Sequence, residues 1–252
     1  MRAAFQRAFY RYGWDTRCRN WVPARILRGV LKDVPARGEP VLLDVGCGRI
    51  GMAAFLDGVP VVGVDVEPPA EAVANFTFQP GTITDLPFAD RSFPVVSCID
   101  VIEHLPLDAR ERALEELVRV AERALLVACP QGELGQSCDA EFQRALEARR
   151  RPVPDWLVEH QGQAYPTSAG VAAKIRQAAA AAGREVRISL SYCEPTSVCR
   201  LVRGAAARSN ALYAAANFLL GALLPVLPAP DAESGYRMVL LAEFTPANGA
   251  RG

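Results

Sequence analysis

Val41-Leu42-Leu43-Asp44-Val45-Gly46-Cys47-Gly48-Arg49-Ile50-Gly51 decides how this chain is read. An apolar run with no polar alternation suits a strand buried on both faces of a parallel sheet. It runs straight into closely spaced glycines, which permit a tight turn and let backbone approach a ligand without a Cβ in the way. The spacing predicts a helix directly after them, whose free N–H groups would meet a phosphate or a carboxylate. A second apolar run, Val61-Val62-Gly63-Val64-Asp65, ends in an acid. Asp65 stands close to the spacing of about 20 residues at which a carboxylate takes the hydroxyls of a ribose. Glycines and acid together predict a nucleoside-containing cofactor.

The loop alone leaves the cofactor open, because Gly46, Gly48 and Gly51 also satisfy the dinucleotide pattern G-x-G-x-x-G. Asp44 shifts the balance. A carboxylate at the end of the first strand repels a pyrophosphate and attracts a cofactor that carries an amino group and a sulfonium. The competing reading makes Asp44 a cap for the turn or the following helix.

Working outward, Phe76–Gln79, Val95–Asp100 and Ala124–Cys129 read as further strands, and Asp108–Glu122 carries helical spacing. Ser168–Ala182 is an Ala-rich helix stopped by Gly183, Glu185–Tyr192 alternates like a strand, and Tyr236–Phe244 is a last one. Alternating strands and helices predict an α/β Rossmann-like, doubly wound, mostly parallel seven-stranded sheet. Residues 1–37 are expected to form an N-terminal helical cap on a domain over 38–252. Two inserts are expected within it. One, at about 131–165, reads as polar and irregular, and the other, at 196–230, as mostly apolar and helical before the last strand.

Asp44-Val-Gly-Cys-Gly48 resembles motif I of the class I, Rossmann-like S-adenosylmethionine-dependent methyltransferases. Thr84-Asp-Leu-Pro-Phe-Ala-Asp-Arg-Ser-Phe93 and Asp100-Val-Ile-Glu-His-Leu105 are similar to the loop after the third strand and the end of the fourth strand in their type 11 domains. The resemblance covers about residues 38–130. It implies S-adenosyl-L-methionine as cofactor, held by Asp44, Gly46, Cys47 and Gly48 at its methionine end. It also implies Asp65 and Val66 at the ribose, Thr82 and Ile83 along the adenine, and Asp100 and Val101 at the end of the fourth strand. Ile50 and Thr82 depart from the family's usual glycine and acid.

In this reading the sulfonium supplies the reactivity, and the protein aligns an acceptor with it. His104 follows the fourth strand, where parallel sheets open onto their ligand, and is the candidate base. Trp156, His160 and Tyr165, in the first insert, are candidate substrate contacts. No spacing of His, Cys and acids matches a metal site, so no metal is expected.

Equal numbers of basic and acidic residues, 28 each, leave no basic field, and nucleic acid is not expected as a partner. Seven cysteines without a C-x-x-C pair read as reduced, buried thiols in a cytoplasmic chain. The apolar stretch 205–227 is slightly short for a membrane span and suggests peripheral membrane contact or a homodimer. The expected activity is methyl transfer to a small-molecule or lipid-like acceptor. The alternatives are an NAD(P)-dependent oxidoreductase, or a non-catalytic scaffold that binds S-adenosylmethionine.

Overall fold

The computed structural model describes residues 14–34, 39–49, 51–68, 74–223 and 229–245. The outer parts of the expected N-terminal cap, and Ile50, therefore lie outside the described residues. The elements are α1 (Trp14–Leu31), β1 (Leu42–Val45), β2 (Val61–Asp65), β3 (Phe76–Pro80), β4 (Phe93–Ile99), α2 (Leu107–Val120), β5 (Ala121–Pro130), α3 (Gly132–Glu147), α4 (Asp155–Gln161), α5 (Ser168–Ala181), β6 (Glu185–Pro195), α6 (Thr196–Arg208), α7 (Asn210–Leu223) and β7 (Gly235–Thr245).

The seven strands form one sheet in the order β3-β2-β1-β4-β5-β7-β6. All pairings are parallel except those of β7, which runs antiparallel between β5 and β6. The chain order reverses between β1 and β4, and the carboxyl ends of a parallel sheet open into a crevice at such a point. The glycine turn follows β1 and Asp100 follows β4, so both motifs stand at that crevice.

Successive side chains on a strand point to opposite faces, and here both faces are covered, which explains the unbroken apolar runs. Leu43, Val45, Val96 and Cys98 pack under Leu114, Leu117 and Val118 of α2 and Ile175 of α5. Leu42, Val61, Val95 and Leu126 pack on the other face against Ala24 and Leu27 of α1 and Met52 and Phe55.

Two expectations need correction. The glycine turn leads into a 3-10 turn over Met52–Phe55, not an α-helix. The region 131–165, read as irregular, is mostly the helices α3 and α4. Its Gly132, Gly135 and Ser137 weaken local helix propensity, but tertiary packing overrides it. Cys138 packs with Tyr236 and Cys199, and a Cβ at Gly135 would stand 3.3 Å from Tyr165. The apolar insert before the last strand is helical, as expected, and consists of two helices broken at extended Ser209 (φ −163°). Ser209 Oγ accepts from the Leu212 N–H at 3.1 Å and caps α7, while Arg151 bridges the break to Ala206 O (2.8 Å) and Asn210 Oδ1 (2.7 Å).

Candidate active site

The glycine turn is built around Asp44. Its carboxyl is buried (3% exposed), accepting from the Met52 N–H at 2.6 Å and from the Ser97 hydroxyl at 2.8 Å. Burial raises its pKa, against the two hydrogen bonds that favour the charged form. The capping reading of Asp44 and its place on the cleft wall thus both hold, through different faces of one carboxyl.

Gly46 has φ +71°, and a Cβ there would stand 2.1 Å from Val101 Cγ2, so Val101 closes directly over the turn. Gly48 donates its N–H to Asp65 Oδ2 at 2.7 Å, and Val66 donates to Asp65 Oδ1 at 2.7 Å. The result is a cleft of about 270 Å³ whose lining includes Asp44, Gly46, Cys47, Gly48, Arg19 and Asp100. Burial, then Asp44 and Asp65, push the Cys47 thiol up to about 12, so it stays neutral. Asp65 joins the cleft through Gly48, with Val66 exposed beside it. Thr82 is exposed beside Thr84 (3.4 Å between hydroxyls), and Ile83 is buried in the core; neither lines the cleft.

Arg19 and Asp100 also border a second cavity of about 460 Å³, so the two spaces meet at the end of β4. Asp100 adopts φ +57°, in the left-handed region that Asp tolerates better than most residues. Its carboxylate pairs with Arg19 of α1 at 3.3 Å and with Arg237 of β7. The apolar wall of this cavity comes from Phe142, Trp156, Val202 and Tyr213, and its polar side from His104, His160, Glu103 and Arg203.

His104 and His160 are adjacent despite their separation in sequence. Their Nε2 atoms are 3.1 Å apart. The other nitrogen of each ring faces a carboxylate: His104 Nδ1 stands 3.0 Å from Glu159, and His160 Nδ1 stands 3.0 Å from Asp139. Asp139 is fully buried and also accepts from the hydroxyls of Tyr165 (2.5 Å) and Tyr236 (2.9 Å) and from Arg203. Burial alone would raise the Asp139 pKa, but its bonds to His160 and Tyr165 and the charge of Arg203 outweigh it and hold the pKa low. Burial, and then His160, lower the His104 pKa against the pull of Glu159.

Of the expected substrate contacts, His104, Trp156 and His160 line the cavity. Tyr165 does not. It stands behind the wall, holding Asp139. Sequence reading missed Glu103, Asp139, Arg203, Arg19 and Arg237. Asp139 is one acid on a helix with no local signal, and Arg19, Arg203 and Arg237 come from three distant elements. Glu103, His104 and His160 also converge, with one donor atom from each all within 4.8 Å of one another, an arrangement with no trace in linear spacing.

Residues 43–126 match the model of the methyltransferase domain family. The demethylmenaquinone methyltransferase of Chlorobaculum parvum is 39% identical over 74 residues, covering 26% of this chain and 31% of that one. A methyltransferase of Schizosaccharomyces pombe described as uncharacterized is 29% identical over 117 residues, covering 38% and 41%. This chain thus spans less than half the length of the curated relatives it matches. A solved structure from Anabaena variabilis, described as a methyltransferase from an antibiotic biosynthesis pathway, superposes with a TM-score of 0.55 at 16% identity, covering 89% of this chain and 98% of that one. A Haloferax volcanii protein, described as a methyltransferase and solved with the Trm112 methyltransferase activator, gives 0.51 at 15% identity, covering 89% of each. These two share the fold.

Proposed function

We propose that this chain, which carries a class I methyltransferase domain, transfers a methyl group from S-adenosylmethionine to a small or lipid-like acceptor held in the larger cavity. The carrying observation is the junction at Asp100 and Arg19. There a cleft built by the glycine turn borders a separate chamber with an apolar wall, the two sharing Arg19 and Asp100 in their linings.

The cleft fits the cofactor. Gly46 leaves the space that a Cβ would fill against Val101, and Asp44 sets a buried carboxylate where a cationic end would lie. A pyrophosphate would meet that same carboxylate, which counts against an NAD(P) reading. Asp65, its oxygens now bonded to backbone N–H groups at the surface, is placed to accept from ribose hydroxyls. When bound, S-adenosylmethionine supplies a methyl group activated by its sulfonium.

The chain's own residues bind and orient. Asp100, fixed by Arg19 and Arg237, forms the rim between cleft and chamber. Trp156 and Phe142 give the acceptor an apolar surface, and His104 is among the polar groups of its other side. A volume of about 460 Å³ suits a small molecule or the head of a larger apolar one. The curated relative that acts on demethylmenaquinone favours an apolar acceptor. So does α7, where Leu212, Phe218 and Leu219 are exposed and offer a peripheral contact with a membrane surface. No described helix is long and apolar enough to cross a membrane.

Calorimetric titration with S-adenosylmethionine, its demethylated product and NAD tests the reading. Binding of the first two and not of NAD supports it. Tight binding with no turnover across hydroxyl, amine and carbon acceptors supports the scaffold alternative instead, and binding of NAD alone rejects both.

A further inference from the structure

We propose that Glu103, His104 and His160 form a binding site for one divalent transition-metal ion, zinc or a first-row neighbour, on the floor of the larger cavity. The inference begins with the hydrogen atoms on the two imidazoles. Glu159 and Asp139 face the Nδ1 atoms at 3.0 Å each. A carboxylate only accepts hydrogen bonds. Asp139 is already surrounded by donors from Tyr165, Tyr236 and Arg203. Both Nδ1 atoms therefore carry the hydrogen and donate. In two neutral rings that leaves both Nε2 atoms with lone pairs and no hydrogen, 3.1 Å apart on tilted rings. Two lone pairs at that distance repel unless something electropositive lies between them.

The distance suits a shared ion. Two nitrogens 3.1 Å apart, each ~2.0–2.1 Å from one metal, subtend an angle of about 95–100°. That lies between the octahedral angle of about 90° and the tetrahedral angle of about 109°. The surroundings match as well. Metal-bound histidines donate their remaining N–H to a carboxylate or carbonyl, and here both do so, to Glu159 and Asp139.

Glu103 is the independent observation. It is 2% exposed, lines the cavity, and neither carboxyl oxygen has a hydrogen-bond partner. A buried carboxyl without a hydrogen-bond partner is costly, and a bound cation would supply one. One of its carboxyl oxygens lies within 4.8 Å of an imidazole nitrogen of each histidine, close enough for one ion to draw the three groups together. Two imidazoles and one carboxylate leave positions open, and the open side faces the cavity. There the ion would hold an oxygen of the acceptor. That last step rests on the proposed function; the ion site itself does not.

The test uses tag-free, full-length protein stripped with a chelator and titrated with Zn²⁺ and with Co²⁺ alone. The expected result is one ion per chain and a cobalt visible spectrum typical of nitrogen and oxygen ligands. His104→Ala and His160→Ala should weaken binding at least 10-fold each. Glu103→Gln, close in shape and uncharged, should keep the fold, weaken the ion, and leave affinity for S-adenosylmethionine within about twofold. Glu159→Ala, at an exposed position, should weaken the ion about 10-fold through the lost orienting bond. Ion binding that is absent, substoichiometric, or equal in wild type, Glu103→Gln and His160→Ala overturns the site. Titration of the metal-free protein with S-adenosylmethionine is read separately, so loss of one conclusion is visible without loss of the other.

Discussion

Asp44→Asn separates what the glycine turn does for folding from what it does for binding. In the fold, Asp44 Oδ2 accepts from Met52 N–H and Oδ1 from the Ser97 hydroxyl. Asparagine can keep both contacts. Its oxygen takes the Met52 N–H, its amide donates to Ser97 Oγ, and the Ser97 hydroxyl turns toward the Leu43 carbonyl, 3.5 Å away. The charge is what changes. Burial raises the Asp44 pKa above its ordinary value of 3.8, so the ionised group opposes folding. That opposition is absent below the unfolded-state value and complete above the folded-state one. At neutral pH the asparagine variant should therefore melt no lower than wild type. Asp44→Ala leaves the Met52 N–H without an acceptor and should cost about 1–3 kcal/mol, or roughly 2–10 °C for a chain of this size. Binding should respond in the opposite way. A charge-assisted contact is worth about 1.5–3 kcal/mol, so the asparagine variant should bind S-adenosylmethionine about 10- to 100-fold more weakly. Scanning calorimetry without ligand and titration calorimetry with it give both numbers. An asparagine variant that melts several degrees lower yet binds with unchanged affinity would show that Asp44 is a turn cap and nothing more.

Gly46→Ala adds a Cβ 2.1 Å from Val101 at a left-handed position, and should cost ~2–5 kcal/mol. Gly48→Ala, also left-handed but with open space around it, should cost only ~1–2 kcal/mol; thermal melts compare the two. Glu116→Ala removes the acceptor of the Leu86 N–H (2.9 Å) and the partner of Arg119 (2.7 Å), and should cost about 1–3 kcal/mol at neutral pH. Its bond to Arg119 lowers the Glu116 pKa, so the stabilisation is complete above the ordinary 4.5 and fades as pH falls through the lower folded value. Denaturant melts of wild type and variant should therefore differ at pH 7 and converge in acid. If α7 meets membranes, wild type should co-sediment with anionic vesicles at low salt and a variant with Leu212, Phe218 and Leu219 changed to serine should not. Equal sedimentation rejects the membrane contact, and a shift in oligomeric state alone would assign the face to self-association.

The sheet was legible because its signals are local. Val41–Val45 and Val61–Asp65 are largely apolar because both faces are covered, and Asp44, Asp65 and the glycines between them mark the crevice. Turn chemistry was harder to read. Whether a helix follows Gly51 depends on how Asp44 reaches back to the Met52 N–H, eight residues away, and the outcome is one 3-10 turn. The cavity was half visible. His104 and His160 stood out as the chain's two histidines, yet their meeting depends on α4 folding over the end of β4. Asp139, Arg203 and Tyr236 join them from α3, α6 and β7, and no spacing rule connects residues that far apart.

A crystal structure of the protein grown with the demethylated product of S-adenosylmethionine tests the central claim most directly. The account predicts ribose hydroxyls on Asp65, the amino group beside Asp44, and the sulfur at the rim formed by Asp100, facing His104 and Trp156. An empty cleft, or a pyrophosphate-containing nucleotide preferred in its place, would contradict it.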